Sequence, residues 1–428
     1  MSPLAFGWRN GLAYGLLGLP LAFVALPLYV ILPNHYAREF GVPLATLGAI
    51  LLGARLFDAF IDPLLGRASD RLFARSPAAV LQRGALAAVV LAFGFALLFF
   101  PLVKTPDALI AWASVMLMVT YAAYSFLSVS HQSWGAMLGG NEAQRSGIVA
   151  WREGLGLAGV VMASITPVAL GLPVTTALFF VALVVGWLAW TRAVQPVAKK
   201  SAAVLPGAVW LPFKHSNFKR LLLVFMLNGT ASAVPATLVL FFIQDRLQAP
   251  TSMEPLFLGS YFLTAALSIP LWLAVVKRIG LAKTWLVGMA LSMAVFVWAT
   301  QIITGQTTAF LIICALSGVA LGTDLALPGA MLAGVIQNNG DSGKAEGAYF
   351  GWWNFAIKLN LALAAGLALP LLGLFGYAPG VRSAEALNAL VMAYCVLPCV
   401  LKLAASVALY FFIIRPSSNP PLQPPFSI

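Results

Sequence analysis

A chain of 428 residues that is 61% apolar and only 9% charged, with a mean hydropathy of +0.93, has too little polar material to cover a soluble core. Soluble domains carry about 25% charged residues, so the composition excludes that class and places most of the surface in lipid. The net charge of +12 would suggest nucleic acid in a soluble protein, but here its distribution along the chain has a different meaning.

Apolar runs near the length of a membrane span fall at 8–32, 43–65, 84–103, 108–138, 148–170, 174–191, 218–243, 255–276, 284–303, 308–336, 347–375 and 387–414. They predict twelve transmembrane helices, some long enough to tilt. The first run is too long for the apolar part of a signal peptide and lacks a small-residue cleavage site. Basic residues concentrate in alternate loops: Arg67, Arg71, Arg75 and Arg83; the stretch from Arg192 to Arg220; Lys277, Arg278 and Lys283. The intervening loops hold only Arg38, Lys104, Arg246 and Arg382. This bias predicts that both termini are cytoplasmic and explains the net charge without nucleic acid.

The longest polar interruption is central. It predicts an N-terminal six-helix bundle at 1–191, a cytoplasmic loop at 192–217, and a C-terminal six-helix bundle at 218–414. A tail at 415–428, rich in Pro and Ser, reads as disordered. Aligning Pro63 with Pro270 reveals a faint repeat between the halves, of the kind found in paired-bundle carriers. Cys314, Cys395 and Cys399 lie in apolar runs and read as small buried side chains; they suggest neither a disulfide framework nor a metal cluster.

The second run, "GARLFDAFIDPLLGRASDR", carries Arg55, Asp58 and Asp62. The i, i+3, i+7 spacing puts them on one helix face. A charge near mid-membrane costs ~2.5–3.5 kcal/mol on insertion scales, so all three must face partners or water. A packing network in which Arg55 pairs with Asp58 would still leave Asp62 in excess, which favours a cation site. Asp70 and Arg71, at the end of the helix, read as braces between neighbouring helix ends. In the fourth run stands His131; an unperturbed imidazole titrates near neutrality, which makes this residue a candidate for coupling. Trp134 and Tyr121 are candidates for stacking on a ring. Arg145 reads as a loop charge. Arg152 and Glu153 enter the membrane together, and as sequence neighbours they are expected to find different partners. In the second half, Asp324 and Lys358 have no local opposite charge, so each needs a partner across the bundle.

"RLFDAFIDPLLG", then "WGAML" with "RSGIVAWR", then "LPGAMLAGVI" through "EGAYFGWWNFAIKL" resemble, in order, the glycoside–pentoside–hexuronide:cation symporter family (melibiose permease-like) of the major facilitator superfamily. The resemblance covers nearly the whole chain. It implies an all-α polytopic major facilitator fold with twelve transmembrane helices in two six-helix bundles. It implies a cation site at Asp58 and Asp62, with His131 aligned to a further family acid and Ser128 to its nearby hydroxyl. It implies substrate-facing roles for Arg152 and Lys358; Trp134, Tyr121 and Asn354 are further candidate substrate contacts. Arg55, Asp70, Arg71, Arg145, Glu153 and Asp324 form the expected charge network and gate. The first helix has Ala22 near the position where the family places a sugar-binding acid, and the family's sugar-stacking Trp aligns near Gly135.

These readings converge on a secondary carrier in a bacterial-type cytoplasmic membrane, monomeric and without a resident cofactor or metal. Its expected solute is a sugar or glycoside. The wider family also contains lysolipid symporters, which leaves an amphiphile as the alternative. A polytopic membrane enzyme would normally show an acidic or His metal cluster at an aqueous face, and the sequence offers none. Hard cations prefer several oxygen ligands. A His in place of an acid, beside two carboxylates that repel each other when both are ionised, favours a proton over sodium as coupling ion.

Overall fold

The computed structural model describes residues 7–196, 208–377, 380 and 383–418. The tail from 419 onward and the loop segment 197–207 lie outside them. In chain order the long helices are α1 (Trp8–Tyr29), α2 (Leu44–Arg75), α3 (Pro77–Phe99), α4 (Pro106–Met137), α5 (Glu142–Pro167), α6 (Ala169–Thr191), α7 (Ser216–Leu247), α8 (Thr251–Ile279), α9 (Leu281–Ala299), α10 (Thr307–Asn338), α11 (Glu346–Leu374) and α12 (Ala384–Ile414). Ten of these, all but α2 and α11, are long and apolar enough to cross a membrane by length and composition. No strand occurs among the described residues.

Several helix ends differ from the hydropathy reading because caps, not apolarity, set them. Helix α2 runs through the charged "GRASDR" to Arg75. Ser76 then stops it and caps α3, its hydroxyl accepting from the Ala79 amide at 3.1 Å with Pro77 at the first helical position. Thus α3 begins before the apolar run at 84. Asn141 and Gln144 form a reciprocal capping box, which starts α5 at Glu142. Just inside the start of α6, Gly171 adopts φ 79° and ψ 167°, flanked by Pro167 and Pro173, and the helical path breaks there.

The chain divides into two compact units. The first comprises residues 1–214 with 329–359, so the end of α10 and the first half of α11 pack with α1 to α6. Within this unit α1 lies close on α5: a Cβ at Gly15 would meet the Trp151 carbonyl at 2.6 Å, and one at Gly18 would meet the Arg152 carbonyl at 2.5 Å. Small residues permit this backbone approach in lipid, where helices gain little from hydrophobic association. A short 3-10 helix, Ala208–Lys214, is tied to α11 through Trp352, whose indole N–H donates to the Val209 carbonyl at 2.8 Å.

The second unit comprises 215–328 with 360–428. Its aromatic core stacks Phe242 on Tyr394 and on Phe310. Its polar centre is Asp324 of α10. The carboxylate receives Asn228 Nδ2 and Ser232 Oγ from α7, Trp285 Nε1 from α9, and the Lys402 ammonium of α12 at 3.1 Å. One side chain therefore joins four helices. Replacing Lys402 with Met leaves a largely buried carboxylate without its counter-charge, which should cost about 3–5 kcal/mol. Equilibrium unfolding in detergent should show that loss for Lys402→Met. It should recover more than half in the Lys402→Met/Asp324→Asn pair; equal stability of the two variants would contradict this role.

Candidate functional site

The first unit gathers its intramembrane charges where α2, α4 and α11 meet. Asp58 and Asp62, a turn apart on α2, are 1% and 0% exposed at their side chains. The Lys358 ammonium of α11 lies 2.7 Å from Asp58 Oδ2 and 2.7 Å from Asp62 Oδ2. It also donates to the Ser125 hydroxyl at 2.9 Å and to the Asp58 carbonyl at 3.2 Å. Ser125 in turn donates to Asp58 Oδ1 at 2.6 Å. Asp62 Oδ1 accepts no hydrogen bond. Two carboxylates thus share one ammonium, and one carboxylate oxygen stays unsatisfied in a dry environment. That is costly unless a ligand or proton completes it.

The backbone dictates how Lys358 reaches this place. A Cβ at Gly351 would meet the Asp62 carbonyl at 2.6 Å and Pro63 Cα at 2.7 Å, so only glycine lets α11 lie this close to α2. Gly66 and Gly347 make the same kind of approach one turn further on. Lys358 stands two turns beyond Gly351, on the same face. At the other end of the contact, Asp70 of α2 accepts the Gly347 and Ala348 amides at 2.6 and 3.0 Å. These are free N–H groups at the start of α11, where a carboxylate also meets the positive end of the helix dipole. Arg67 lies 3.6 Å from the same carboxylate.

Several expectations need correction. Arg55 does not pair with Asp58. Its guanidinium lies over the Tyr29 ring, 4.5 Å from the centroid, while the Lys358 ammonium occupies Asp58 Oδ2 and the Ser125 hydroxyl its Oδ1. Arg152 and Glu153 do pair with each other, the long side chains folding back across the one-residue step. Ser128 accepts from Gln132 Nε2 at 3.0 Å, and it is Ser125, one turn earlier, that reaches Asp58. His131 makes no hydrogen bond to the carboxylates. Its Nε2 lies 2.7 Å from the Tyr14 carbonyl, so Nε2 carries the proton. The ring is stacked on Tyr14 at 4.3 Å and set edge-on to Trp190.

Trp134 is a core residue, fully buried against Phe73 and Trp190 with its N–H donating to the Val194 carbonyl at 2.9 Å. Tyr121 is buried beside Tyr29, and Asn354 is buried on α11. Arg145 donates to the Gly140 carbonyl and to Gln337 Oε1, both at 2.8 Å. Arg71 is exposed at its place on α2. Asp324 belongs to the separate polar centre of the second unit, with Lys402 and Asn228 as partners that sequence reasoning did not single out. No group of three or more metal-ligating side chains occurs among the described residues.

Long, apolar helices with charges paired inside the bundle fit a polytopic membrane protein, and the wider comparison agrees. The pattern of the family described as MFS/sugar transport protein matches residues 11–415, and the chain belongs to that family. It is 25% identical over 414 residues to an uncharacterized symporter of Bacillus subtilis (strain 168), YjmB, covering 90% of this chain and 86% of that one. Its fold matches a bacterial homologue of the iron transporter ferroportin in an outward-facing state (TM-score 0.69, 17% identity, 96% of this chain and 99% of that one). It also matches the E. coli fucose:proton symporter (TM-score 0.69, 14% identity, 93% and 98%). The protein is an integral membrane protein of major facilitator fold.

Removing the Lys358 ammonium strands two buried carboxylates, an expected loss of about 3–5 kcal/mol in Lys358→Met. Adding both Asp58→Asn and Asp62→Asn to that variant should restore most of it. Thermal unfolding of the purified variants checks this; a Lys358→Met protein as stable as the parent would show that the ammonium is not what holds the pair.

Proposed function

We propose that the protein is a cation-coupled symporter of a sugar or glycoside, working by alternating access, with Asp58 and Asp62 as the coupling site. The observation that carries this reading is the single Lys358 ammonium shared by two buried carboxylates, one of which has an oxygen left open. An arriving cation competes with the ammonium for the same oxygens. Binding it loosens the tie between α11 and α2, so occupancy and the closeness of these helices are linked through one set of charges. Asp70 on the α11 amides is the second tie along the same contact and the one nearer the helix end, where a gate would open. The family and its B. subtilis relative support the transport class. The loop bias in Lys and Arg supports cytoplasmic termini.

The favoured cation is a proton. The position where a hard cation would collect oxygen ligands is filled by the ammonium, and only Ser125 and the Asp58 carbonyl add neutral oxygens nearby. A proton needs one oxygen, and Asp62 Oδ1 offers one. This argument stands on the triad itself, since His131 is engaged with Tyr14 instead.

Uptake into proteoliposomes is the test, with labelled sugars and glycosides and with pH and sodium gradients imposed separately. A pH gradient alone should drive accumulation. Asp58→Asn and Asp62→Asn should each abolish accumulation while the protein still folds and binds solute. Full accumulation by both variants would remove these residues from coupling. Drive by sodium at equal pH, with no response to a proton gradient, would reassign the ion.

A further inference from the structure

The 3-10 helix Ala208–Lys214 is bound to the contact between α2 and α11, yet the coupling scheme gives it no part. It packs on α2 and is pinned to α11 by the Trp352 N–H on the Val209 carbonyl. Trp210 and Phe213 stand three residues apart, so they share one edge of a 3-10 helix. Both rings lie on Trp352, with centroids at 4.8 and 4.9 Å. The aromatic row continues through Phe355 of α11 to Phe60 of α2. Phe60 is 67% exposed and belongs to an outward stripe with Leu56 and Leu64, which in a membrane protein faces lipid. The strap therefore lies at the edge of a lipid-facing surface, where Trp210 is 60% exposed.

Depth and charge say which part of the lipid it meets. Trp352 follows Glu346, the first residue of α11, by six positions. That is about 9 Å along the axis at ~1.5 Å per residue. Interfacial segments settle about 5–10 Å into the headgroup boundary, where Trp is enriched. The chain around the strap is purely basic: six Lys and Arg residues, from Arg192 to Arg220, lie between Glu153 and Asp245, and no acid does. Lys214 closes the strap and is exposed. Each basic residue near the surface attracts an anionic lipid and gains nothing from a zwitterionic one.

We propose that the strap is a docking site for an anionic phospholipid, its phosphate on Lys214 and its glycerol region against the Trp210 ring. The bound lipid holds the strap across α2 and α11 and favours their contact. The loop bias that supports cytoplasmic termini puts the site in the cytoplasmic leaflet, which carries anionic lipid. Only the choice of leaflet rests on that orientation; headgroup preference at Trp210 does not, so the two fail separately. A strap that merely packs would accept any phospholipid alike.

The test uses the full chain, purified and reconstituted in phosphatidylcholine vesicles with rising amounts of phosphatidylglycerol. Brominated forms of each lipid quench nearby indoles, and the difference between wild type and Trp210→Phe isolates the Trp210 signal. Phosphatidylglycerol should outcompete phosphatidylcholine at Trp210 by at least about fivefold, and high salt should reduce that preference. Lys214→Gln should remove most of it, while Lys214→Arg should keep it. Hydrogen exchange of the segment 346–352 should slow in phosphatidylglycerol for the wild type and stay unchanged for Lys214→Gln. Equal quenching by the two lipids would overturn the proposal. So would a preference that survives Lys214→Gln, or exchange at 346–352 that ignores the lipid in the wild type. Should Trp210→Phe fail to fold, hydrogen exchange in the wild type and the Lys214 variants decides, since it needs no tryptophan substitution.

Discussion

One ammonium between two buried carboxylates is the constraint around which the first unit is arranged. Taking three charges out of water costs several kcal/mol each, and their mutual attraction offsets this only when the geometry is close. Here the geometry is close, with both carboxylates at 2.7 Å. That closeness requires α11 to touch α2 backbone to backbone, which Gly66, Gly347 and Gly351 allow, and it fixes the register of the two helices. Asp70 sets the same register from the other end by accepting the first amides of α11. The ion triad thus specifies position more than it adds stability, since a well-packed apolar contact of the same size would hold the helices at least as firmly.

The two units use buried carboxylates in opposite ways. Asp324 is saturated: both oxygens carry two donors, drawn from three other helices. A proton or ligand arriving there would have to break existing bonds and gain little. Asp62 has an ammonium on one oxygen and nothing on the other. The same residue type is a structural joint in one place and a chemically open group in the other. The number of donors decides this, because burial is high at both sites and the charge partner is a lysine at both.

The fold and part of the site were legible in the sequence for physical reasons. Helix number follows from apolar length, and the shared face of Asp58 and Asp62 follows from helical period. Lys358 announced itself as a charge where none is cheap. Its partner stands 300 residues away, and no local pattern encodes that pairing, so the nearer Arg55 looked like the natural counter-ion. The spacing could place Arg55 on the right face but not say that its place at the carboxylates was already taken. Ser125 and Ser128 differ by one turn, and periodicity alone does not choose between them. Sequence adjacency also misled at Arg152 and Glu153, where side-chain length overrode helix geometry. The clue to His131 lay in α1: Gly11, Gly15 and Gly18 mark where α1 and α5 lie close, and Tyr14, among these glycines, offers its carbonyl to the imidazole.

Coupling in the proposed cycle needs no signal passed over a distance, because cation and lysine compete for the same oxygens. A cation on Asp62 and an ammonium on Asp62 are alternatives, each excluding the other by charge and by space. The state in which α11 is held to α2 through Lys358 is therefore the state with lowest cation affinity, and the cation-loaded site is the one in which that tie is weakest. By linkage the two effects are equal in free energy and opposite in sign. A ligand with equal affinity for both arrangements would shift nothing. What makes this site able to shift an equilibrium is that its charges cannot all be satisfied at once by the protein alone. The open oxygen of Asp62 is the place where that deficit is visible.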